Sequence, residues 1–507
     1  ILLDKGSGSQ FIHSKNRKSL PFSLVELDID WKHQENLDFD DMRREYLIPR
    51  KYSTEGPALA VADVNNDGLE DFYLGGAKGQ ASALYLQQAD GTFKPQQNPV
   101  FEVLSPGEDV VAEFVDLNGN GFLDLYVGSG GNENPKGHFH NYDRVYLNDG
   151  NGKLNFSPNS LPPLGENTSS IAIHDINGDG APDIFVTATV VTGNYGAKPY
   201  SYLLINDGKG NFKDETRKYF GEGFQPGMLQ KASWVDIDGD QNNELVLVGE
   251  WNSVQVFKQN SDLKFEQISI GEDASKAGLF NTVSSLSENG DQYLLLGNLG
   301  LNSKLKAGSE KPLWLFHHDF DGNEQEDPLI FHYMGDNLIP FASRDDLMKQ
   351  IPMIKKKHGS YVDYAQIKHP NDLFDSQQLK NANKYQVENL KSGLLKMNNT
   401  GNYDFIPFPI EGQFAPIKDF FTWGKDGKTH ILAVGGFYGF RNDFGRSDAM
   451  PLAYFVFENG QLRNEALNLD YMNIKGEYRS IRPILIKGEL HMLAVRNNGK
   501  PILLKVN

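Results

Sequence analysis

A nine-residue acidic loop that occurs five times constrains this chain more than any other feature of its sequence. Loop one spans residues 63–71, between an apolar segment that ends at Ala62 and a second apolar segment at 72–76. Oxygen-bearing side chains occupy loop positions 1, 3, 5 and 9, and Gly68 occupies position 6. This spacing suits a hard cation, because a tight turn can wrap carboxylates and the position-7 carbonyl around it. The loop therefore predicts a calcium site.

The other four loops, residues 116–124, 175–183, 236–244 and 319–327, repeat these oxygen donors. Asp and Asn beside Gly also favour turns without a metal, but a simple turn has no reason to repeat its donors five times. Loop two has asparagine at positions 3 and 5, so we expect weaker binding there, and loops four and five replace the turn glycine with Gln241 and Glu324, which leaves their affinity open. With position 7 contributing its carbonyl, the predicted calcium ligands are Asp63, Asn65, Asp67, Leu69, Asp71, Asp116, Asn118, Asn120, Phe122, Asp124, Asp175, Asn177, Asp179, Ala181, Asp183, Asp236, Asp238, Asp240, Asn242, Glu244, Asp319, Asp321, Asn323, Gln325 and Asp327.

The spacing of the loops predicts the architecture. The first four loops begin 53, 59 and 61 residues apart, and each is flanked by strand-like segments. A hairpin with an Asp-Gly turn, such as Asp90-Gly91, follows the second of these segments and brings the count to four strands per repeat. Repeats of this length and content indicate the blades of an all-β β-propeller. We expect seven blades in preference to eight, depending on whether the strands around loop five complete the fifth blade or begin a sixth.

The segments outside the repeats predict the remaining organisation. Residues 1–20 read as a flexible leader, and residues 21–507 as a single propeller. A strand beginning at Phe22 either closes the ring by pairing with the last blade or is an ordinary edge strand. Residues 338–392 break the β pattern, and segments 344–357 and 372–380 have helical spacing. We expect a small helical insertion that projects from one face and shapes the ligand surface.

Composition narrows the partners and the compartment. The chain has 49 Lys and Arg against 67 Asp and Glu, a net charge of −18, which disfavours nucleic acid as a partner. It has no cysteine and no apolar run long enough for a transmembrane segment. Because the chain begins at Ile1, we expect a targeting segment upstream, with a lipid or surface anchor left open. Calcium is millimolar outside cells, so we expect a secreted, periplasmic or outer-surface protein.

Other residues that could bind or catalyse form no compact constellation. His138, His140, His317, His318 and His332 are scattered, which favours packing over metal ligation. The run 355–358 is either an anion patch or a solvated helix end, and the aromatic residues at 437–442, with Trp251, either stack on sugars or pack in the core. No nucleophile, acid and base cluster in the sequence, so we predict no catalytic residues and no organic cofactor. Two functional classes remain open: a binding module and a propeller enzyme.

The acidic loops and the Gly-Gly strand ending at 75–76 resemble the FG-GAP/VCBS repeats of integrin α-subunit propellers and bacterial surface proteins. Segments 47–50, 53–58, 297–302, 344–357 and 445–449 are similar to secreted Bacteroidetes VCBS proteins related to cartilage acidic protein. The resemblance implies a calcium-binding propeller and says little about its ligand, and no enzyme activity follows from it. We therefore expect a non-enzymatic adhesion or ligand-binding module for an unidentified protein or glycan. The alternative is a glycan lyase or hydrolase with its site at the central channel.

Overall fold

The strands described by the computed structural model pair into eight antiparallel sheets, seven of which form a ring. The structure describes residues 20–272, 274–397, 402–465 and 474–507, so all of the expected leader except Leu20 lies outside the described residues. Loops one to four each join the first and second strands of a ring sheet, as the spacing of the repeats predicts. The fold is a β-propeller.

Each blade has four strands, and its innermost strand lines the central channel. From the inside outward, the strands of blades one to four are Leu59–Ala62, Asp71–Leu74, Ala83–Gln87 and Phe93–Gln96; Glu108–Val115, Asp124–Gly130, Arg144–Asn148 and Leu154–Phe156; Thr168–His174, Asp183–Ala188, Tyr202–Asn206 and Phe212–Asp214; Met228–Val235, Glu244–Asn252, Gln255–Gln259 and Phe265–Ile268. Those of blades five to seven are Thr282–Glu288, Asp291–Gly297, Gly393–Met397 and Tyr403–Pro407; Ile417–Lys425, Lys428–Gly435, Leu452–Glu458 and Gln461–Asn464; Tyr478–Ile486, Glu489–Arg496, Ile502–Val506 and Phe22–Val25. A short strand, Gly278–Leu279, pairs with the second strand of blade four.

Apolar clusters between neighbouring blades hold the ring together. At the junction that closes it, Ile484 and Leu493 of blade seven pack with Leu59 and Phe72 of blade one. Six further clusters occupy the other blade-to-blade junctions. The ring thus has seven blades, the number preferred from the sequence.

The N-terminal strand is the outermost strand of blade seven. Phe22 pairs with Val506 and Val25 with Leu503 in antiparallel register, which confirms that the strand closes the ring. It ends at Val25, although the alternating pattern continues further along the sequence. The shortening follows from the partner strand, which runs only from Ile502 to Val506.

The eighth sheet is an insertion between the second and third strands of blade five. Its strands, in spatial order, are Asn337–Pro340, Asp327–Met334, Leu313–His318 and Asn383–Val387. The two ends of the insertion meet at the ring, where the backbone N–H of Asn298 donates to Oγ of Ser392 over 2.9 Å. Loop five joins two strands of this inserted sheet, so its strands neither complete the fifth blade nor begin a sixth, and both expectations for them are wrong.

The helices between residues 344 and 381 pack on the inserted sheet. Leu347, Ile351 and Phe374 share an apolar cluster with Phe331 of that sheet and Phe320 of loop five. The expected helix at 344–357 is divided at Pro352, and the second predicted helix starts only after Asp375, whose side chain caps it. The α-helices and 3-10 helices of the described chain are Asp41–Arg44, Pro99–Val103, Phe139–Asn141, Thr216–Phe220, Arg344–Gln350, Ile354–Lys357, Tyr361–Tyr364, Pro370–Asp372, Ser376–Asn381 and Ile410–Gln413.

Candidate metal-binding loops and central channel

All five acidic loops are wrapped around the aspartate at position 1. Its Oδ2 atom accepts a hydrogen bond from the backbone N–H of position 6. The N···O distances are 2.8 Å for Gly68 to Asp63, 2.8 Å for Gly121 to Asp116, 2.9 Å for Gly180 to Asp175, 3.0 Å for Gln241 to Asp236 and 2.9 Å for Glu324 to Asp319. The shared bond shows that the loops have one backbone shape, including the two without the turn glycine.

Position 6 has a left-handed backbone in every loop. The φ angles are 83° at Gly68, 85° at Gly121, 88° at Gly180, 73° at Gln241 and 67° at Glu324. A residue with a Cβ atom costs about 1–2 kcal/mol more than glycine in this conformation. Loops four and five therefore keep the turn at a small cost in stability.

The carboxylate at position 9 fastens each loop to its sheet. One oxygen accepts the backbone N–H of position 2, a buried residue, over distances between 2.9 and 3.1 Å in all five loops. In loops one to three the other oxygen accepts a backbone N–H from the third strand of the blade. These donors, at 2.8, 2.7 and 2.8 Å, are Gln87, Asn148 and Asn206.

The side chains of the same third-strand residues connect neighbouring blades. Nδ2 of Asn148 donates to the carbonyl of Val64 in loop one over 2.7 Å, and Nδ2 of Asn206 donates to that of Leu117 in loop two over 2.9 Å. The sequence analysis missed this role. An amide residue recurs just before the hairpin turn in these blades, and this recurrence could have indicated the role from the sequence.

The protonation chemistry of the loops suits a bound cation. Burial, with a smaller contribution from the neighbouring loop carboxylates, raises the pKa of Asp71 to about 7 and that of Asp327 to about 7. A divalent cation would favour the ionised carboxylates, since an opposite charge stabilises them. Hard oxygen donors of this kind are the ligands that calcium prefers. The donor sets of loops one, two, three and five fit calcium.

Loop five brings three carboxylates together on the inserted sheet. Asp319, Asp321 and Asp327 offer oxygens within 4.8 Å of one another. Oδ1 of Asp321 is buried and accepts no hydrogen bond from any described residue. A buried acceptor without a hydrogen-bond donor costs free energy, so this oxygen is also suited to bind a cation. Glu326 accepts from Nδ2 of Asn194 over 3.0 Å, which places loop five beside the propeller face opposite to loops one to four.

Loop four also gathers its carboxylates, but an ammonium lies among them. Oxygens of Asp236, Asp238 and Glu244 lie within 4.8 Å of one another. Nζ of Lys258 lies 2.5 Å from Oδ2 of Asp238 and 2.7 Å from Oδ2 of Asp240. These two carboxylates raise the pKa of Lys258 well above its ordinary value. Lys258 was not predicted from the sequence as a residue of this site.

A comparison with known protein families supports the repeats seen in the sequence. Residues 63–127 and 129–186, which contain loops one to three, match the FG-GAP-like repeat family. The chain carries FG-GAP-like repeats. No curated protein was found to match it. The relation to Bacteroidetes VCBS proteins and cartilage acidic protein stays a prediction.

The chain is similar to several solved structures at low sequence identity. One is YCF48 bound to D1 peptide, with 9% identity, coverage of 97% of this chain and 98% of that chain, and a TM-score of 0.41. Others are the Dos1 propeller (10% identity, 91% and 96%, TM-score 0.39) and the V. cholerae biofilm matrix protein Bap1 (11% identity, 96% and 91%, TM-score 0.31). We draw no functional argument from similarities at this level.

The central channel contains a small cavity lined by charged side chains. A cavity of about 90 Å³ is lined by Lys231, Lys418, Arg479 and Arg482, with Glu55 and Asp419 among them. Sites for small molecules are typically about 300–1,000 Å³ in volume. This cavity is therefore smaller than a typical small-molecule site.

The channel acids are held as ion pairs. Nη1 of Arg482 lies 2.7 Å from Oδ2 of Asp419, and Arg50 binds Glu55. Although burial opposes it, the charges of Arg50 and Lys418 hold the pKa of Glu55 at about 2. A general acid for glycoside cleavage needs a raised pKa, so Glu55 is unsuited to that role.

The segment that precedes blade one packs over the end of the channel opposite to loops one to four. Oε1 of Glu250 accepts from Nε of Arg50 over 2.7 Å, and its Oε2 accepts from the hydroxyls of Tyr52 at 2.6 Å and Tyr195 at 3.0 Å. These side chains are all buried. Their arrangement is typical of a structural network rather than an open binding site.

The remaining candidate residues mostly have packing roles. Trp251 and Phe437 are buried, so they are not available to stack on sugars. His317 contacts Asn194 and His332 packs on Phe341. The lysines at 355–357 are exposed at the end of a short helix, which supports the solvated helix end.

One outer pocket has the volume of a ligand site. It measures about 410 Å³ and is lined by Val103, Leu104, Phe139, Leu161 and other residues at the edge of blade two. The side chains of Val103 and Phe139 are largely exposed.

Among the described helices, none has the length and apolar character needed to cross a membrane.

Proposed function

We propose that this protein is a calcium-binding β-propeller that works outside the cytoplasm as a non-enzymatic ligand-binding or adhesion module. Loops one, two, three and five would hold calcium through the side chains at positions 1, 3, 5 and 9 and the carbonyl at position 7. The ions would neutralise buried carboxylates and fix the loops to their sheets. The insertion, as the largest irregular element, would shape the surface for a protein or glycan.

The observation that carries this proposal is the common geometry of the loops. The carboxylates at positions 1 and 9 bind backbone N–H groups of their own loop and so hold the oxygen donors at one end of the blade. The buried, unpaired oxygen of Asp321 supports a cation in loop five as well. The small channel cavity and the ion-paired state of Glu55 favour binding over catalysis.

Calcium binding is tested with protein stripped by EDTA. A ligand that binds only the native state raises the melting temperature by mass action, so the melting temperature should rise with free calcium. Magnesium at the same concentration serves as the control, since it demands a tighter octahedral site. The absence of both binding heat and a calcium-dependent shift would contradict the proposal.

The choice between binding and catalysis needs a separate experiment. Calcium-loaded protein is screened on a glycan array and incubated with a panel of polysaccharides, and released products are followed by chromatography. We expect binding without turnover. Depolymerisation that is lost on changing a single residue of the channel wall would establish the enzyme alternative instead.

A further inference from the structure

Lys258, in the third strand of blade four, directs its ammonium into loop four. Its Nζ lies 2.5 Å from Asp238, 2.7 Å from Asp240 and 3.3 Å from Oε1 of Glu244. These carboxylates occupy loop positions 3, 5 and 9, three of the four side-chain positions predicted to bind calcium. An ammonium has three donor hydrogens and can pair with all three. We infer that loop four holds the ammonium of Lys258 as its resident cation and binds no calcium.

Blades one to three, which contain the other three loops of the ring, have no such cation at the equivalent position. Lys258 precedes Gln259 at the end of the third strand, as Leu86 precedes Gln87 in blade one. The corresponding residues are Leu147 in blade two and Ile205 in blade three. Apolar side chains leave the carboxylates of loops one to three without a built-in counter-ion.

Loop four also differs at position 9, where Glu244 replaces aspartate. In loops one to three, the second oxygen of this acid accepts a backbone N–H from the third strand. In loop four the second oxygen, Oε1 of Glu244, accepts no hydrogen bond of that kind and lies beside the Lys258 ammonium instead. The longer side chain of Glu244 thus places its second oxygen beside the Lys258 ammonium rather than at the backbone of the third strand.

Charge explains why such a loop needs a cation of its own. Loop four has carboxylates at all four side-chain positions, Asp236, Asp238, Asp240 and Glu244, more than any other loop. Without a cation they would repel one another in a partly buried turn. Calcium could enter only by displacing the tethered ammonium, which would remain next to it as a like charge. Loop four should therefore keep its shape when calcium is removed.

This inference rests on the proposed calcium function. Exchanging the residue types at the equivalent positions of blades four and one tests the inference and the proposed function separately. Calcium bound per chain is measured by equilibrium dialysis and metal analysis for the wild type, Lys258→Leu and Leu86→Lys. We expect Lys258→Leu to bind one ion more than the wild type and Leu86→Lys to bind one fewer. Lys258→Met, which keeps most of the aliphatic stem, is the second variant if Lys258→Leu folds poorly.

Anomalous scattering from calcium-grown crystals locates the ions. A calcium peak in loop four of the wild type would overturn the inference, as would a lower stoichiometry in Asp236→Ala. An unchanged count in both Lys258 variants, with ions present in loops one and three, would overturn it while the proposed function stands. If the wild type binds no calcium anywhere, the proposed function fails, and a single ion gained by Lys258→Leu would still support the inference.

Discussion

Within a single acidic loop, the two end carboxylates have different tasks. Asp63 at position 1 is partly exposed, and its bonds to Asp67 and Gly68 lie at the surface. Asp71 at position 9 is fully buried and joins Val64 of the loop to Gln87 of the third strand. Position 1 thus mainly organises donors for an ion, while position 9 also supports the sheet.

Substituting each end separately should distinguish these tasks. Asp71→Ala leaves two buried N–H groups without acceptors, so we expect it to destabilise the calcium-free protein by about 1–3 kcal/mol. Asp63→Ala should change calcium-free stability by less than about 1 kcal/mol but remove one calcium ion. Urea denaturation in EDTA, followed by calcium titration, measures both. Equal losses in EDTA would show that position 9 has no separate structural role.

A second residue-scale prediction concerns pH and Glu35, which is buried beside Asn497. Burial raises the pKa of Glu35 to about 8 from an ordinary value of 4.5, although Arg479 opposes the shift. Between these values the folded chain keeps a proton that the unfolded chain releases. This contribution to stability is therefore present below pH 4.5 and is lost as pH rises through 8.

Glu35→Gln should flatten that dependence, since glutamine keeps the acceptor for Asn497 but does not ionise. From about pH 5 to pH 8, the free energy of unfolding of the wild type should fall relative to the variant, by up to about 1.4 kcal/mol per pH unit. Denaturant titrations at both pH values measure the difference. Glu26→Gln, at an exposed position of the same segment, is the control. Parallel pH profiles for wild type and Glu35→Gln would rule out the effect.

Among the elements, the strand Phe22–Val25 closes the ring. It covers the outer edge of blade seven, and its first residue also reaches blade six. Phe22 is 2% exposed and contacts the rings of Trp423 and Tyr454 at centroid distances of 6.5 and 5.6 Å. One side chain thus ties the closing strand to the neighbouring blade.

Phe22→Ala should accordingly destabilise the propeller by about 3–5 kcal/mol, the range for buried phenylalanine truncations. Leu24→Ala is the matched control, because Leu24 lies on the same strand but is 45% exposed, and it should change stability by less than about 1 kcal/mol. Thermal and urea unfolding measure both variants. Similar losses would mean that strand pairing, rather than packing on blade six, carries the closure.

At the scale of the whole molecule, the insertion is a second core attached to the ring. Its helices cover one face of the inserted sheet, and a further cluster joins Leu313 and Leu315 to Tyr52 and Trp251 at the channel end. Since Asn298 and Ser392 meet at the base, the insertion leaves and re-enters blade five at one point.

Complete excision of residues 299–391, with a short glycine linker, should preserve the seven-bladed ring and remove the ion of loop five, but it should lower stability because it exposes Tyr52 and Trp251 at the channel end. Removing only residues 344–381 should instead expose the apolar sheet face around Phe320 and Phe331 and cause aggregation. Circular dichroism, size-exclusion chromatography and calcium stoichiometry compare the two variants. Unfolding after the complete excision, with a soluble partial deletion, would reverse this assignment.

The sequence by itself determined the features that contiguous residues encode. Loops one to three, their hairpins and the four-strand repeat lie within short stretches, so spacing and turn chemistry were enough to predict a propeller. The closing strand at Phe22 was also predictable, because an unpaired edge strand far from the first repeat needs a partner.

Only the tertiary structure decided the features that depend on residues distant in sequence. The position of loop five in an inserted sheet follows from pairing between Leu313–His318 and Asn383–Val387, which no local pattern shows. Burial removed Trp251 and Phe437 from the candidate ligand surface. The ammonium of Lys258 reaches loop four from the third strand of the blade. Because Lys258 lies outside the nine residues of the loop, those nine residues alone predict a calcium site. Local sequence encodes the shape of a loop, but the cation that pairs with its carboxylates depends on which strand the fold places beside the loop.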